Sequence, residues 1–155
     1  ADLSGDTVLF SVRSNSEAIC VDRVTGDYPI RANFLHIGSR RPLGVGGGSM
    51  ALLAALPAAE RAAVLEITCN HLAAHPRLNR AVLEDHIRAY ETHGYVTMYD
   101  LVVEKMGAIG YPILDAYGNV LGSISLVALT DRVRDREPAL VEAMAQEVRQ
   151  IVRQL

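Results

Sequence analysis

The segment Pro42–Leu56, PLGVGGGSMALLAAL, places four glycines within five residues directly before an apolar run of helical character. Glycines at the start of a helix leave its first backbone N–H groups uncovered by side chains, and those groups carry a partial positive charge. Such a helix start suits a carboxylate or carbonyl oxygen. The same glycines could instead serve a tight turn or a close approach to a sheet, and the segment alone favours neither interpretation.

Two nucleotide-binding motifs fit this segment poorly. A P-loop continues into Gly-Lys-Ser/Thr, whereas here Ser49 and Met50 follow, and the lysine that would neutralise a phosphate is missing. A dinucleotide-binding motif would need a third glycine at Ser49 and a surrounding βαβ unit. If the segment is a site, it therefore indicates a small anionic ligand.

Partly alternating, β-branched stretches precede the glycines and predict three consecutive antiparallel strands. The strands are expected over Thr7–Val12, Ala18–Asp22 and Tyr28–Asn33. Three helices are expected next, because apolar residues recur there at helical spacing. They cover Ser49–Leu56, a second stretch with Pro57 in its first turn and Pro76 at its end, and a third from the N-cap Asn79 to Gly94.

Strands resume toward the C-terminus. Ala108–Leu114 and Val120–Leu129 flank Asp115–Asn119, which suits a hairpin with Gly118 in a left-handed conformation. A closing helix over Pro138–Leu155 has one apolar face. This order predicts a single α+β domain with an antiparallel sheet, covering residues 1–155.

Composition narrows the class further. The 155 residues are 50% hydrophobic, which suits one globular domain, and no apolar stretch approaches the roughly 18 to 20 residues that span a bilayer. We expect no membrane partner and no secretory signal. The net charge of −3 lacks the basic excess of a nucleic-acid-binding domain. Cys20 and Cys69 form no paired motif, which favours a reducing, cytoplasmic compartment.

Candidate catalytic and metal-binding groups are weak. Cys69, His71 and His75 lie close in sequence, but their spacing matches no closed zinc motif, so we interpret them as a core cysteine and surface histidines. No serine stands in a Gly-x-Ser-x-Gly context, and Asp85-His86 is typical of a solvated helix face. We therefore predict no catalytic residue, no metal and no cofactor.

Three segments together carry a family resemblance: Gly38–Ala54, His93–Val96 and Ile109–Gly118. In order and spacing they resemble the C-terminal effector-binding domain of IclR-type bacterial transcription regulators, from about Thr7 to the end of the chain. The resemblance implies a GAF-like domain with a sheet of about six strands. It also implies a winged helix-turn-helix domain that precedes this one and binds operator DNA, which would account for the acidic charge and for the start at Ala1.

The resemblance also implies a site. In the family a small organic effector, often a carboxylate, lies between the sheet and the glycine-rich helix start, where the backbone amides of Gly47 and Gly48 would meet it. The walls would be formed by Met98, Met106, Ala108, Ser125 and Val127. Arg41 would add a charge-assisted hydrogen bond if its side chain turned inward.

Departures from the family pattern bear on the ligand. Positions at which relatives carry acidic or small polar residues are Met98, Ala108 and Val127 in this chain. These side chains remove hydrogen-bond partners and add apolar surface. We therefore predict that an aromatic or branched hydrophobic carboxylate binds better than glyoxylate or pyruvate.

The resemblance thus predicts a sensory domain that forms dimers or tetramers and performs no chemistry. Its effector would modulate operator binding by the domain outside this chain. Two alternatives stay open: a small cytoplasmic enzyme of GAF-like fold acting on a small organic acid, and a purely structural dimerisation domain. Turnover of a bound acid would favour the enzyme, and the absence of saturable binding would favour the structural domain.

Overall fold

The computed structural model describes residues 1–29 and 35–155 of the chain, and these form one antiparallel sheet flanked by helices. The strands are β1 (Thr7–Ser14), β2 (Glu17–Val24), β3 (Arg40–Pro42), β4 (Val96–Tyr99), β5 (Met106–Leu114) and β6 (Val120–Leu129). The helices are α1 (Gly47–Ala54), α2 (Ala58–Cys69), α3 (Arg80–His93), α4 (Thr130–Asp135) and α5 (Glu137–Arg153). Across the sheet the order is β3-β2-β1-β6-β5-β4, which confirms the predicted α+β class and its sheet of about six strands.

The sheet separates two helical layers. On its outer face, Ile109 and Leu126 pack with Val133 of α4 and with Leu140 and Met144 of α5. On its inner face, α1 lies against β5 and β6 and also contacts α3. The single apolar face predicted for the closing helix is explained by this packing, because only one side of α5 meets the sheet.

Helix α1 is buried along its whole length, from Gly47 to Ala54. It lies between the sheet and α3, where Leu83 and Ile87 join the same core cluster. A helix that is apolar on all sides is typical of such a central position. This position explains why the run after the glycines carries no charged residue.

The predicted helix and turn boundaries at three residues are confirmed. The side chain of Asn79 accepts a hydrogen bond from the backbone N–H of Val82 at 2.9 Å and so caps α3. Gly94 ends α3 with φ 79°, and Gly118 lies in the β5–β6 turn with φ 82°. Both values fall in the left-handed region, which glycine adopts without strain.

Other boundaries differ from the expectations. Tyr28 and Pro29 lie outside any strand, and the rest of the strand predicted over Tyr28–Asn33 lies outside the described residues. β3 was not predicted, because two arginines and a proline give no apolar alternation. α2 ends at Cys69 instead of reaching Pro76, and Pro57 is its N-cap.

Two further elements differ from the expectations. α1 begins at Gly47, two residues before the predicted start, because the glycines themselves form its first turn. The short helix α4 was not predicted, since its six residues follow β6 directly and carry four charged side chains and one buried valine, Val133.

Candidate functional site

The glycine segment forms a sharp loop that ends in the N-terminus of α1. Gly46 is the N-cap with φ 106°, and no side chain caps the helix. The first turn of α1 holds no acidic residue. The first N–H groups of a helix have no partners within it, so their partial positive charge is directed out of the helix end.

The next two glycines let α1 lie directly on the sheet. A Cβ atom added to Gly47 would lie 2.7 Å from the Cβ of Ala108, and one added to Gly48 would lie 3.0 Å from Oγ of Ser125. Side chains at these positions would push the helix off β5 and β6. Positive φ and close packing therefore suffice to explain the glycines, and a ligand must be argued from other features.

Hydroxyl groups hold this loop in place. Ser49 accepts a hydrogen bond from the N–H of Gly44 at 3.1 Å and donates one to the carbonyl of Pro42 at 2.9 Å. Thr68 of α2 donates to the carbonyl of Leu43 at 2.7 Å. Ser123 of β6 donates to the carbonyl of Gly48 at 2.9 Å. The start of α1 is therefore fixed from three sides.

A cavity of about 60 Å³ lies between the start of α1 and the inner face of the sheet. All eight residues that the sequence singled out line it: Arg41, Gly47, Gly48, Met98, Met106, Ala108, Ser125 and Val127. Strand pairing explains the grouping, because Met98 pairs with Ala108 and Ala108 pairs with Val127 across β4, β5 and β6. The structure thus brings the predicted set together.

Polar groups gather at the end of the cavity next to α1. The side chain of Arg41 is partly buried, and a Cβ added to Gly46 would lie 3.5 Å from its Nη1. The inward orientation considered for Arg41 is therefore the one observed. Burial lowers the pKa of Arg41 from its ordinary value. Burial and, secondarily, the charge of Arg41 lower the pKa of His75.

Ser125 adds a hydroxyl group to this polar end. It is 3% exposed, and its Oγ lies close enough to Gly48 to crowd any side chain there. Among the described residues the Ser125 hydroxyl has no hydrogen-bond partner, although its neighbour Ser123 is bonded to α1. Because Ser125 lines the cavity, its hydroxyl can donate a hydrogen bond to a ligand or accept one from it.

Most of the remaining lining of the cavity is apolar. Met98, Met106 and Val127 line it, and so do Leu101, Val102 and Val103 from the loop between β4 and β5. Sequence reasoning missed these last three. An apolar triplet between two predicted strands was the available signal, because a solvent-exposed loop rarely carries three consecutive large apolar residues.

Other candidates offer no chemistry. Cys20 also lines the cavity, but burial raises the pKa of its thiol, and its Sγ donates to the carbonyl of Asp22 at 3.4 Å. Within residues 1–29 and 35–155 no three His, Cys, Asp or Glu residues are placed to hold a metal ion. A ring nitrogen of His71, in the turn after α2, lies 2.8 Å from the carbonyl of Ile67. No described helix is long and apolar enough to cross a bilayer.

One protein family matches the chain from end to end. The family is described as the bacterial transcriptional regulator IclR C-terminal domain, and the match covers residues 1–155. The chain belongs to this family. No curated protein matches it in sequence. IclR-type proteins are transcriptional regulators and not enzymes, so the enzyme alternative is set aside.

Solved structures of regulators share the fold. The transcriptional regulator YaiJ matches with a TM-score of 0.88 and 18% identity, over 99% of this chain and 87% of that one. The Thermotoga maritima IclR matches with a TM-score of 0.78 and 20% identity, over 96% of this chain and 62% of that one. The Agobacterium tumefaciens repressor BlcR matches with a TM-score of 0.79 and 21% identity, over 99% of this chain and 61% of that one. The chain therefore spans about three fifths of the length of the last two.

Proposed function

We propose that this IclR-type C-terminal domain senses a small organic acid with an aromatic or branched hydrophobic body. One observation carries the proposal: the N-terminus of α1 and Arg41 border a cavity whose other walls are mostly apolar. The acid would lie with its carboxylate at the start of α1 and its body toward Met98 and Met106. Its binding would modulate operator binding by a winged helix-turn-helix domain outside this chain.

The carboxylate is favoured by two sources of positive potential that lie close together beside the cavity. The amides of Gly47 and Gly48 lie at the uncapped helix N-terminus, and the guanidinium of Arg41 lies beside Gly46. A guanidinium has five N–H donors, so Arg41 can bind a ligand oxygen in addition to its contacts within the protein. A carboxylate would accept charge-assisted hydrogen bonds from both sources.

The apolar body is favoured by the apolar side chains that line the rest of the cavity. Met98 is 3% exposed and Val127 is 7% exposed, and neither offers a hydrogen bond to a polar ligand. Methionine side chains adapt to irregular ligands because they are flexible and polarisable. A two- or three-carbon keto acid would leave its polar carbonyl against these groups.

The first prediction compares the two classes of acid. Benzoate or isovalerate should raise the melting temperature of the domain by several degrees at saturation, whereas glyoxylate and pyruvate should not. A ligand at a hundredfold its dissociation constant stabilises the folded state by about 2.7 kcal/mol. A thermal-shift titration measures this. If the short keto acids stabilise more than every hydrophobic acid, the apolar body of the proposal is wrong.

The second prediction concerns Arg41. Arg41→Gln should weaken benzoate binding by about tenfold or more, because a charge-assisted hydrogen bond to the carboxylate is lost. Arg40→Gln is the matched control, since Arg40 is exposed and pairs with Glu17 at 3.2 Å outside the cavity. Calorimetric titration should give wild-type affinity for Arg40→Gln. Equal affinities for all three proteins would place the carboxylate elsewhere.

Substitution of Gly48 is a poor test of the same site. A side chain there would meet the Oγ atoms of Ser123 and Ser125 at 3.0–3.1 Å, on the sheet side of α1. Gly48→Val would therefore displace the helix and lose stability together with binding. Substitution of Arg41 separates loss of binding from loss of stability, because Arg41 belongs to the edge strand β3 and a glutamine there adds no atoms between α1 and the sheet.

The third prediction concerns assembly, which we propose to be dimeric or tetrameric as in other IclR-type regulators. The described residues include exposed apolar side chains on β2, where Val21 is 39% and Val24 is 50% exposed. Sedimentation at micromolar concentration should show a species heavier than the 16.8 kDa chain. A purely monomeric species would refute this.

Contact with operator DNA is assigned to the other domain, since this chain has net charge −3.

A further inference from the structure

The loop between β4 and β5, residues 100–105, forms one wall of the cavity, and we call it the wall loop. Leu101, Val102 and Val103 face the cavity from it. The cavity measures about 60 Å³, whereas an apolar cavity known to admit benzene measures about 150 Å³. The enclosed space is therefore smaller than an aromatic ring needs, and outward movement of a wall would enlarge it.

The wall loop is the wall best suited to move. It begins at Asp100 with φ 60° and is followed by β5 after Lys105 with φ 65°. Both are non-glycine residues in left-handed conformations, which are held only when surrounding contacts compensate the strain. Most of the other described walls are the sheet and the buried start of α1, which are close-packed, while Leu35 and Ser39 line the cavity from the segment before β3.

Two hydrogen bonds connect the wall loop to Thr130, the first residue of α4. Its backbone N–H donates to the carbonyl of Lys105 at 2.8 Å, and its hydroxyl donates to Oδ1 of Asp100 at 2.6 Å. Thr130 thus bonds to both strained ends of the loop. Outward movement of the wall loop would break these bonds or carry α4 with it.

The same short helix holds the segment before β1. Arg132 donates from Nε to Oδ1 of Asp6 at 2.5 Å and from Nη2 to the carbonyl of Ser4 at 2.8 Å. Arg136, at the end of α4, donates to Oδ2 of the same carboxylate and to the carbonyl of Ser4 at 3.1 Å. The side chain of Asp6 is 1% exposed, so this is a buried connection.

We propose that α4 relays occupancy of the cavity to the segment Ser4–Asp6. A hydrophobic acid would prefer the outward position of the wall loop, and the shift would pass through Thr130 into α4. The hydrogen bonds from Arg132 of α4 and from Arg136 at its C-terminal end to Asp6 would then weaken. The inference rests on the proposed function, and it adds the route by which binding leaves the cavity. Coupling of this kind requires the ligand to prefer one of the two loop positions.

Amide hydrogen exchange measures the effect of the relay at the segment Ser4–Asp6. The N–H of Gly26 donates to the carbonyl of Asp6 at 3.1 Å, and the N–H of Tyr28 donates to the carbonyl of Gly5 at 2.9 Å. Both amides should exchange about tenfold faster in saturating benzoate, while core amides slow down. If benzoate binds and these two amides change no differently from the core, the relay is wrong.

A second experiment, carried out without ligand, tests the relay independently of the proposed function. Thr130→Val, which keeps the shape and removes the hydroxyl, should speed exchange at Gly26 and Tyr28 about tenfold without benzoate, and Thr130→Ser should restore wild-type exchange. Thr68→Val is the matched control, because Thr68 of α2 is also buried and donates to a carbonyl at 2.7 Å.

The two arms test the proposed function and the relay separately. Failure of benzoate to bind wild-type protein refutes the proposed function, and the comparison of Thr130→Val with Thr68→Val still decides the relay. Equal exchange at Gly26 and Tyr28 in these two variants overturns the relay. If Thr130→Val does not fold, Asp100→Asn, which weakens the same bond, replaces it with the same expected direction.

Discussion

Asp6→Ala is expected to lower the free energy of unfolding by about 3–5 kcal/mol, the usual consequence of removing one partner of a buried ion pair. The carboxylate of Asp6 is 1% exposed and accepts hydrogen bonds from Arg132 of α4 and from Arg136 at its C-terminal end, whose side chains are only 24% and 32% exposed. Without Asp6, both guanidinium groups stay partly buried with no anion between them. Urea denaturation measures the loss.

The matched control for this prediction is Glu17→Ala. Glu17 also pairs with an arginine, Arg40, but both side chains are more than 40% exposed. Exposed ion pairs contribute about 0–1 kcal/mol, because water screens them and long side chains lose entropy when they are ordered. A loss at Asp6 no larger than that at Glu17 would show that the Asp6 cluster is not a structural connection.

The Asp6 cluster also shows what sequence patterns cannot reveal. Asp6 lies 126 residues before Arg132 and 130 before Arg136, in a segment that looks like an ordinary polar N-terminus. No periodicity links residues at such separations. Only the pairing of β1 with β6, which places Thr7 opposite Val127, brings the start of the chain beside α4.

The cavity residues were more accessible to sequence reasoning, because a family resemblance carries positions from one chain to another. All eight residues taken from it line one cavity, and whether that cavity holds an acid stays a prediction. Periodicity alone would have identified the strand of Ala108 and the helix of Gly47 without showing that they touch. The wall loop escaped notice because Leu101–Val103 belongs to no regular element.

The glycine segment illustrates the same limit. From the sequence, four glycines could serve a ligand, a turn or a close contact. The structure shows the turn in the φ of 106° at Gly46 and the close contact at Gly47, whose neighbours come from β5, far along the chain. That contact cannot be anticipated from the segment, although the presence of a helix after the glycines could be.

Gly110→Ala is expected to cost at least about 3 kcal/mol of stability and to abolish benzoate binding. A Cβ at Gly110 would lie 2.1 Å from the carbonyl oxygen of Gly47 and 2.6 Å from its carbon. Both atoms are backbone, so no side-chain rotation relieves the overlap, and the start of α1 must separate from β5. Because this contact positions the helix amides over the cavity, stability and binding should fall together.

Gly38→Ala provides the control for Gly110→Ala. Gly38 has φ 90°, and an added Cβ there would meet nothing within 4 Å, so its substitution introduces backbone strain without a clash. Strain of this kind costs about 1–2 kcal/mol, and ligand binding should survive it. Denaturation and calorimetry of both variants distinguish the effects. If Gly110→Ala loses no more stability than Gly38→Ala and still binds benzoate, close docking of α1 on β5 does not position the site, and the carboxylate end must be sought away from the helix start.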